Sequence, residues 1–213
     1  HVTGAAMTLI LHAHPLSSYC HKVLVALYEH ATPFTLQFLD LGDPAERAAF
    51  LKLWPVGKMP VLQDTARERT VVESTTIIEY LALHYPGAVP LVPGDAELAL
   101  EVRGWDRFFD LYLQVPMQKI NGDRLRPAGQ RDPLGVEQAR TALTTAYGVV
   151  EQRMRTRTWA VGDGFTMADC AAAPALFYAD RLAPLAGQYP HSAAYLERLR
   201  ERPADARALA EAQ

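Results

Sequence analysis

Four residues near the start of the chain, Ser17-Ser18-Tyr19-Cys20, lie where a thiol–disulfide centre would stand. They follow a short apolar run and precede apolar residues at helical spacing. A Cys-x-x-Cys motif at such a strand-to-helix turn is typical of redox chemistry. Here Ser17 occupies the first cysteine position and only Cys20 remains. The pattern therefore indicates either a redox motif without its nucleophile or a site for a thiol supplied by another molecule.

Ser17 is the first candidate for chemistry, because it should lie at the N-terminus of the first helix. Exposed N–H groups and the positive end of the helix dipole favour an anion there. A serine hydroxyl in that place can donate to a thiolate and lower the thiol pKa from about 8.5. The alternative interpretation is an ordinary helix N-cap.

A second candidate is the run Gly57-Lys58-Met59-Pro60-Val61. Proline directly before a β-branched strand residue is unusual, because it cannot donate to the sheet. A cis Met59–Pro60 bond would explain it and would turn the Met59 backbone outward as an edge for binding a peptide. A trans proline at the start of a strand explains the same residues equally well.

The third candidate is Glu73-Ser74, where a predicted strand meets a predicted helix. This pairing suits an amino-acid head group, since Glu73 could hold the ammonium while Ser74 and the helix start hold the carboxylate. A capping serine beside a solvated glutamate is the alternative.

The surrounding pattern predicts the elements that position these residues. Strands are predicted at 8–12, 34–39, 60–64 and 70–72, with helices starting near 20 and 44 and spanning 73–85. Proline and glycine are concentrated at 86–94, which indicates a linker at 87–94 between domains at 7–86 and 95–213. Helical periodicity follows at 96–120, 136–155, 167–182 and 193–202, with a loop at 121–135.

Composition narrows the function further. The 213 residues carry a formal net charge of −3 without a basic stripe, so we expect neither nucleic acid nor a membrane surface as partner. Two cysteines, Cys20 and Cys170, form no disulfide framework, which predicts a reducing, cytoplasmic location. We expect no membrane span, signal sequence or metal. Residues 1–6 precede Met7, a plausible native start, and are set aside.

Taken together, the three candidate motifs resemble the glutathione transferase superfamily. The similarity extends from about residue 8 to 202 and includes Thr166 and Asp169, which match the capping box that starts the core helix of that family. The resemblance implies an α/β thioredoxin-like N-terminal domain with a mixed four-stranded sheet, followed by an all-α C-terminal domain. It also implies glutathione as co-substrate.

Site residues follow from the same resemblance. Ser17 matches the catalytic serine of the serine-type classes, which stabilises the glutathione thiolate. Met59 matches the residue whose backbone pairs with the cysteinyl part of glutathione, and Pro60 matches the cis-proline. Glu73 and Ser74 match the clamp that holds the γ-glutamyl part. Lys58 lies where it could meet the glycyl carboxylate.

The chain departs from other classes of the superfamily. Tyrosine-type classes place their tyrosine where this chain has His12-Ala13-His14, and cysteine-type classes need Cys at 17. The zeta-type maleylacetoacetate isomerases have Cys at the position of Tyr19. Cys20 lies on the apolar face of the helix and is expected to be buried, so the reactive thiol would belong to glutathione itself.

The helical region should hold the acceptor. Aromatic and apolar residues cluster on its first long helix, most of them expected in the core and one or two lining an apolar pocket: Trp105, Phe108, Phe109, Tyr112 and Met117. Cys170 is expected in the core.

These features predict a cytoplasmic glutathione transferase for detoxification, a homodimer as is common in the family, acting on an electrophilic, apolar small molecule. One alternative is a glutathione-dependent isomerase of a small dicarboxylate, for which Arg107, Lys119 and Arg124 would supply positive charge. Another is a non-catalytic glutathione-binding or interaction module.

Overall fold

The computed structural model describes residues 8–212, which form two compact units. One unit contains the residues up to 90 together with the segment from 206 onward, and the other contains Leu91–Asp205. The division falls inside the predicted linker 87–94, whereas the segment from 206 onward groups with the first unit and not with the helical one. Met7 and the residues before it lie outside the described part of the chain.

A four-stranded mixed sheet forms the centre of the first unit, as predicted. Its strands are β1 (Leu9–Ala13), β2 (Thr35–Phe38), β3 (Val61–Asp64) and β4 (Arg69–Val72). The spatial order is β2-β1-β3-β4, with β1 parallel to β2, and with β3 antiparallel to both β1 and β4. Leu9, Leu11 and Ala13 alternate along β1 and are buried, because successive side chains of a strand point to opposite faces. Burying each leucine contributes about 1.5–3 kcal/mol to stability.

Three helices accompany the sheet: α1 (Ser18–Glu29), α2 (Pro44–Leu53) and α3 (Ser74–His84). An Asp43 side chain caps α2, and Pro44 takes the favoured first position, as the sequence predicts. Helix α1 packs against α3, and α3 in turn contacts β3 and β4. Helix α3 is thereby anchored on β4, the strand that it follows, and α1 is held through α3.

The second unit is helical in its described residues, which confirms the predicted all-α region. Its helices are α4 (Ala96–Phe108), α5 (Gln114–Arg124), α6 (Pro133–Met154), α7 (Met167–Leu182) and α8 (Pro190–Glu201). A last helix, α9 (Pro203–Glu211), crosses from this unit into the segment that belongs to the first.

The predicted single helix at 96–120 is wrong, because a π-helical segment at Phe109–Leu113 separates α4 from α5. Pro116 lies in the first turn of α5. In a regular helix its ring would clash with the carbonyl four residues earlier, and it has no N–H to donate. The wider π turn just before it accommodates the proline while the helical direction continues.

Three helix starts also differ from prediction, and all three begin at a proline. Helix α6 begins at Pro133 where the pattern predicts 136, α8 begins at Pro190 where it predicts 193, and α9 at Pro203 was not predicted. A prediction from hydrophobic periodicity does not place proline inside a helix. The first helical position nevertheless tolerates proline, because the backbone N–H at that position has no partner within the helix. For the same reason the loop predicted at 121–135 shrinks to the residues between Arg124 and Pro133, with a short 3₁₀ turn inside it.

The capping box at the start of α7 is confirmed. The Thr166 N–H donates to Asp169 Oδ2 at 2.9 Å, and Thr166 Oγ1 accepts from the Ala168 N–H at 3.3 Å. Asp169 is fully buried and its Oδ1 accepts from the Ala160 N–H at 3.0 Å and from the Tyr195 hydroxyl. One carboxylate therefore joins the helix start, the preceding loop and α8.

Candidate functional site

Ser17 is the N-cap of α1, so the capping interpretation of the sequence is correct. Its Oγ accepts from the Cys20 N–H at 3.4 Å, and its own N–H donates to the His14 carbonyl at 2.9 Å. Capping uses the hydroxyl as an acceptor, so its proton can still be donated to another group. The two interpretations of Ser17 are therefore compatible, since one hydroxyl can cap the helix and donate to an anion.

The sheet topology brings the three candidate motifs to one edge. His12 on β1 pairs with Val61 on β3, and Val61 pairs with Val72 on β4. Strands β1 and β4 therefore end at the edge where β3 begins. The turn leading to Ser17 follows β1, the Lys58–Met59–Pro60 segment precedes β3, and Glu73–Ser74 follows β4.

The Met59–Pro60 peptide bond is cis, as the resemblance implies. Pro60 is buried, and the half-buried Met59 side chain packs against the cluster formed by Leu39, Phe50 and Val61. Lys58 is exposed.

Glu73 has a backbone conformation that a glutamate rarely adopts. Its φ is 71° and its ψ is 124°, and it stands at the N-cap position of α3 without a side-chain capping bond. Positive φ costs a residue other than glycine about 1–3 kcal/mol, and such residues cluster at ligand-binding sites. The Glu73 side chain is exposed while Ser74 is only 6% exposed. The strained turn therefore presents a carboxylate outward and buries a hydroxyl at the start of α3.

A buried lysine connects the two helices that begin at this edge, and sequence reasoning missed it. Lys22 lies in α1, is 1% exposed, and donates from Nζ to Thr75 Oγ1 at 2.8 Å. Thr75 directly follows Ser74, so the bond fixes the first turn of α3 against α1. The signal available in the sequence was a single lysine inside the apolar run from Cys20 to Leu27. The starts of α1 and α3, whose positive dipole ends favour an anion, are thus linked through this bond.

Cys20 is buried, as predicted. Burial raises the pKa of its thiol to about 11, against the opposing effect of hydrogen bonds with the Ser17 side chain and the His14 backbone. At neutral pH the group is a thiol, and the thiolate is the reactive form. The structure therefore disfavours a redox centre based on Cys20. Cys170 is likewise free and buried.

The two histidines at the tyrosine position of other classes are used structurally. His14 Nδ1 accepts from the Leu16 N–H at 3.1 Å, and its ring packs against Phe38 with centroids 4.8 Å apart. His14 thereby shapes the turn that leads to Ser17. His12 Nε2 pairs with Gln63 Oε1 at 2.6 Å.

The aromatic cluster predicted on the first long helix is only partly core. Phe109 and Met117 are buried, Trp105 and Phe108 are half-buried with ring centroids 5.0 Å apart, and Tyr112 is 58% exposed. The exposed and half-buried rings are those able to contact a ligand.

The cationic side chains that would suit a dicarboxylate are differently placed. Lys119 Nζ donates to Asp132 Oδ2 at 2.6 Å, and this bond lowers the pKa of Asp132. Arg107 and Arg124 are exposed. One of the three cations is thus already engaged by a carboxylate.

Within residues 8–212 no helix is both long enough and apolar enough to span a bilayer, and no group of three or more His, Cys, Asp or Glu side chains is arranged to hold a metal ion.

Comparison with protein families matches most of the chain. Residues 11–88 match the glutathione S-transferase N-terminal domain, and residues 112–203 match the glutathione S-transferase C-terminal domain.

Individual proteins agree with this assignment. FtsZ-localized protein A of Caulobacter vibrioides is 32% identical over 182 residues, which are 80% of this chain and 76% of the relative. A glutathione S-transferase from Methylobacillus flagellatus, solved with glutathione bound, has a TM-score of 0.86 and 25% identity, covering 94% of this chain and 98% of its own. A glutathione S-transferase from Methylobacterium radiotolerans, solved with glutathione sulfonate, has a TM-score of 0.82 and 28% identity, covering 94% and 93%.

Proposed function

This chain belongs to the glutathione S-transferase superfamily, and from that membership we propose that it conjugates glutathione, through its thiolate sulfur, to an electrophilic, apolar small molecule. The observation that carries the proposal is the convergence of the Ser17 turn, the cis Met59–Pro60 segment and the Glu73–Ser74 turn at one edge of the sheet. The glutathione bound to two similar solved structures supports the choice of ligand.

Ser17 is the proposed catalytic residue. Its hydroxyl group, which caps the helix only as an acceptor, would donate a hydrogen bond to the glutathione sulfur. The N-terminus of α1 would add the positive end of its dipole. Both favour the thiolate over the thiol. The thiolate then attacks the acceptor, an S–C bond forms, and the leaving group departs with its electron pair.

Met59, Pro60 and Lys58 would hold the rest of the tripeptide. The Met59 backbone is proposed to pair with the cysteinyl part as an added strand would, with Pro60 fixing that edge. Lys58, which is exposed, is proposed to meet the glycyl carboxylate.

Glu73 and Ser74 would hold the γ-glutamyl end. The exposed Glu73 carboxylate suits its ammonium, while the Ser74 hydroxyl and the first N–H groups of α3 suit its carboxylate. The strain at Glu73 supports this role, because a strained turn is retained where a ligand requires its geometry.

We also propose the broader setting. Residues 7–86 would form the glutathione-binding domain, and 95–213 would contribute the acceptor pocket, for which Trp105, Phe108 and Tyr112 are available. A cytoplasmic homodimer acting in detoxification fits the two free, buried cysteines and the commonest symmetry of oligomers.

The test compares Ser17→Ala with Ser18→Ala, a neighbouring serine as matched control. Turnover of a panel of electrophiles with glutathione should fall roughly 10- to 1000-fold in Ser17→Ala, the range for losing one preorganised donor. Glutathione affinity should change far less, because Glu73, Ser74 and the Met59 backbone remain.

Full activity in Ser17→Ala would show that another group activates the thiol. If the wild-type protein binds glutathione but conjugates no acceptor, it is the non-catalytic binding module instead. Turnover confined to a dicarboxylate in the panel would favour the isomerase, although Lys119 is already paired with Asp132.

A further inference from the structure

A concave site lies between α2 and the sheet, next to the Leu39 and Phe50 side chains on which Met59 packs. It has a volume of about 320 Å³. We call it the α2 pocket, and it is lined by His12, Gln37, Phe38, Leu39, Glu46, Ala49, Phe50, Leu53 and Gln63. Pockets for small molecules begin at roughly 300 Å³, about twice a cavity that holds one benzene. The space is therefore sufficient for a bicyclic molecule.

Strand alternation explains why polar groups line this pocket. His12 points to the face opposite that of Leu11 and Ala13, and its ring lies 6.4 Å from that of Phe50 on α2. His12 Nε2 and Gln63 Oε1 lie 2.6 Å apart, so an imidazole and an amide together offer hydrogen-bonding groups to the pocket.

The remaining walls set the chemistry of the ligand. Phe50 and Leu53 on α2 give apolar surfaces, whereas Phe38 lines the pocket from β2, where it pairs with Ala13 and its ring packs against His14. Glu46 is the one formally charged residue in the lining, and its carboxylate accepts from the Asp40 N–H at 2.7 Å. No lysine or arginine is among the lining residues, so an anion would gain no ion pair there and would be repelled by Glu46.

We propose that the α2 pocket binds an uncharged, flat aromatic molecule that carries a hydrogen-bonding group on one edge. The ring system packs against Phe50 and Leu53, and the polar edge meets the His12–Gln63 pair. None of the lining residues is among those proposed to bind glutathione, although Leu39 and Phe50 also pack against Met59. The inference therefore does not depend on the transferase proposal.

The test uses two neighbouring alanines of α2. Ala49 lines the pocket, whereas Ala48 is exposed on the same helix and does not line it. The fluorescence of N-phenyl-1-naphthylamine, an uncharged aromatic amine, is titrated with saturating glutathione present. We expect saturable binding to the wild type and to Ala48→Trp, and about tenfold weaker binding to Ala49→Trp, which fills the pocket. Equal binding to both variants, or none to the wild type, would overturn the proposal.

A second measurement removes dependence on the tryptophan variants folding. Cys20 and Cys170 are buried, so a cysteine introduced at 48 or 49 becomes the accessible thiol. The probe should slow alkylation of Ala49→Cys by N-ethylmaleimide and leave Ala48→Cys unchanged. An unprotected Ala49→Cys, or equal protection at both positions, would contradict binding in the α2 pocket.

Discussion

At the scale of single residues, Ser17 and Glu73 each have a local feature that bears on the candidate site. Ser17 satisfies a helix start with its oxygen and retains a proton that it can donate. Glu73 adopts a φ of 71° that glycine would accept without strain. Glycine at this position would relieve the strain, so the strained glutamate supports the role proposed for its carboxylate.

Substitution of Glu73 by glycine should change the stability of the protein and its affinity for glutathione in opposite directions. Glu73→Gly relieves the strain, and we expect the free energy of unfolding to rise by about 1 kcal/mol after the entropy of an added glycine is included. The same change removes the partner of the γ-glutamyl ammonium, so glutathione affinity should fall roughly 10- to 100-fold, as for a charge-assisted hydrogen bond of about 1.5–3 kcal/mol. Urea unfolding and calorimetric titration measure the two effects.

Glu73→Gln is the matched control, since it keeps the strain and the shape but loses the charge. Its stability should stay within about 0.5 kcal/mol of the wild type, while glutathione binding weakens as in Glu73→Gly. Cysteinylglycine lacks the γ-glutamyl group and should bind all three proteins equally. Unchanged glutathione affinity in both variants would remove Glu73 from the site.

At the scale of elements, the site depends on how α1 and α3 are held together. The Lys22–Thr75 bond joins the second turn of α1 to the first turn of α3, and both helices follow strands that end at one edge. The arrangement could be predicted in outline, because strand ends and helix starts follow from periodicity. The lysine contact could not, because it depends on tertiary packing of two helices far apart in sequence.

Lys22→Met and Thr75→Val test this connection as a double-mutant cycle. Each single change should lower stability and weaken glutathione binding, because the start of α3 loses its support from α1. The two effects should be non-additive by about 1–3 kcal/mol, since both remove the same hydrogen bond. Additive losses in urea unfolding would mean that the two side chains act independently.

A second connection ties α3 to the sheet and should give the protein a pH dependence. Asp64 in β3 is buried, which by itself would raise its pKa, but hydrogen bonds from the Tyr80 and Tyr85 hydroxyls, each at 2.8 Å, and from Arg67 lower it. A carboxyl pKa that is lower in the folded protein stabilises it above the unfolded value of about 3.9, and this stabilisation is lost as the pH falls through the folded pKa.

Stability measured by urea unfolding should therefore decline below about pH 4. Asp64→Asn should be less stable at neutral pH, and its stability should change less over that acid range. A variant with the same acid dependence as the wild type would show that other carboxyls cause the decline.

At the scale of the whole molecule, the sequence predicts an α/β part followed by a helical part, because a change from mixed to purely helical periodicity is visible without coordinates. The α7 boundaries and the Thr166–Asp169 capping box were also predictable, since a capping box has a local signature. The π segment at Phe109–Leu113 and the helix α9 were missed, and the starts of α6 and α8 at Pro133 and Pro190 were predicted three residues too late. A proline in the sequence is compatible both with the interruption of a helix and with the start of one. Only the packing around it decides between the two.

The candidate site, too, could be predicted only in part from the sequence. Residue types and their order indicated Ser17, Met59–Pro60 and Glu73–Ser74, but each had an ordinary alternative explanation. Strand register then brought the three motifs to one edge, which no local pattern contains. Membership of the glutathione S-transferase superfamily gives that edge its proposed ligand.

The most direct test of the central claim is the ultraviolet absorbance of the thiolate of glutathione bound to the protein, followed as a function of pH. With Ser17 and the α1 N-terminus stabilising the anion, bound glutathione should be a thiolate at neutral pH, well below the free thiol pKa of about 8.5. In Ser17→Ala the midpoint should move back toward the free value. Glutathione that binds the wild-type protein yet titrates at its free pKa would contradict the account.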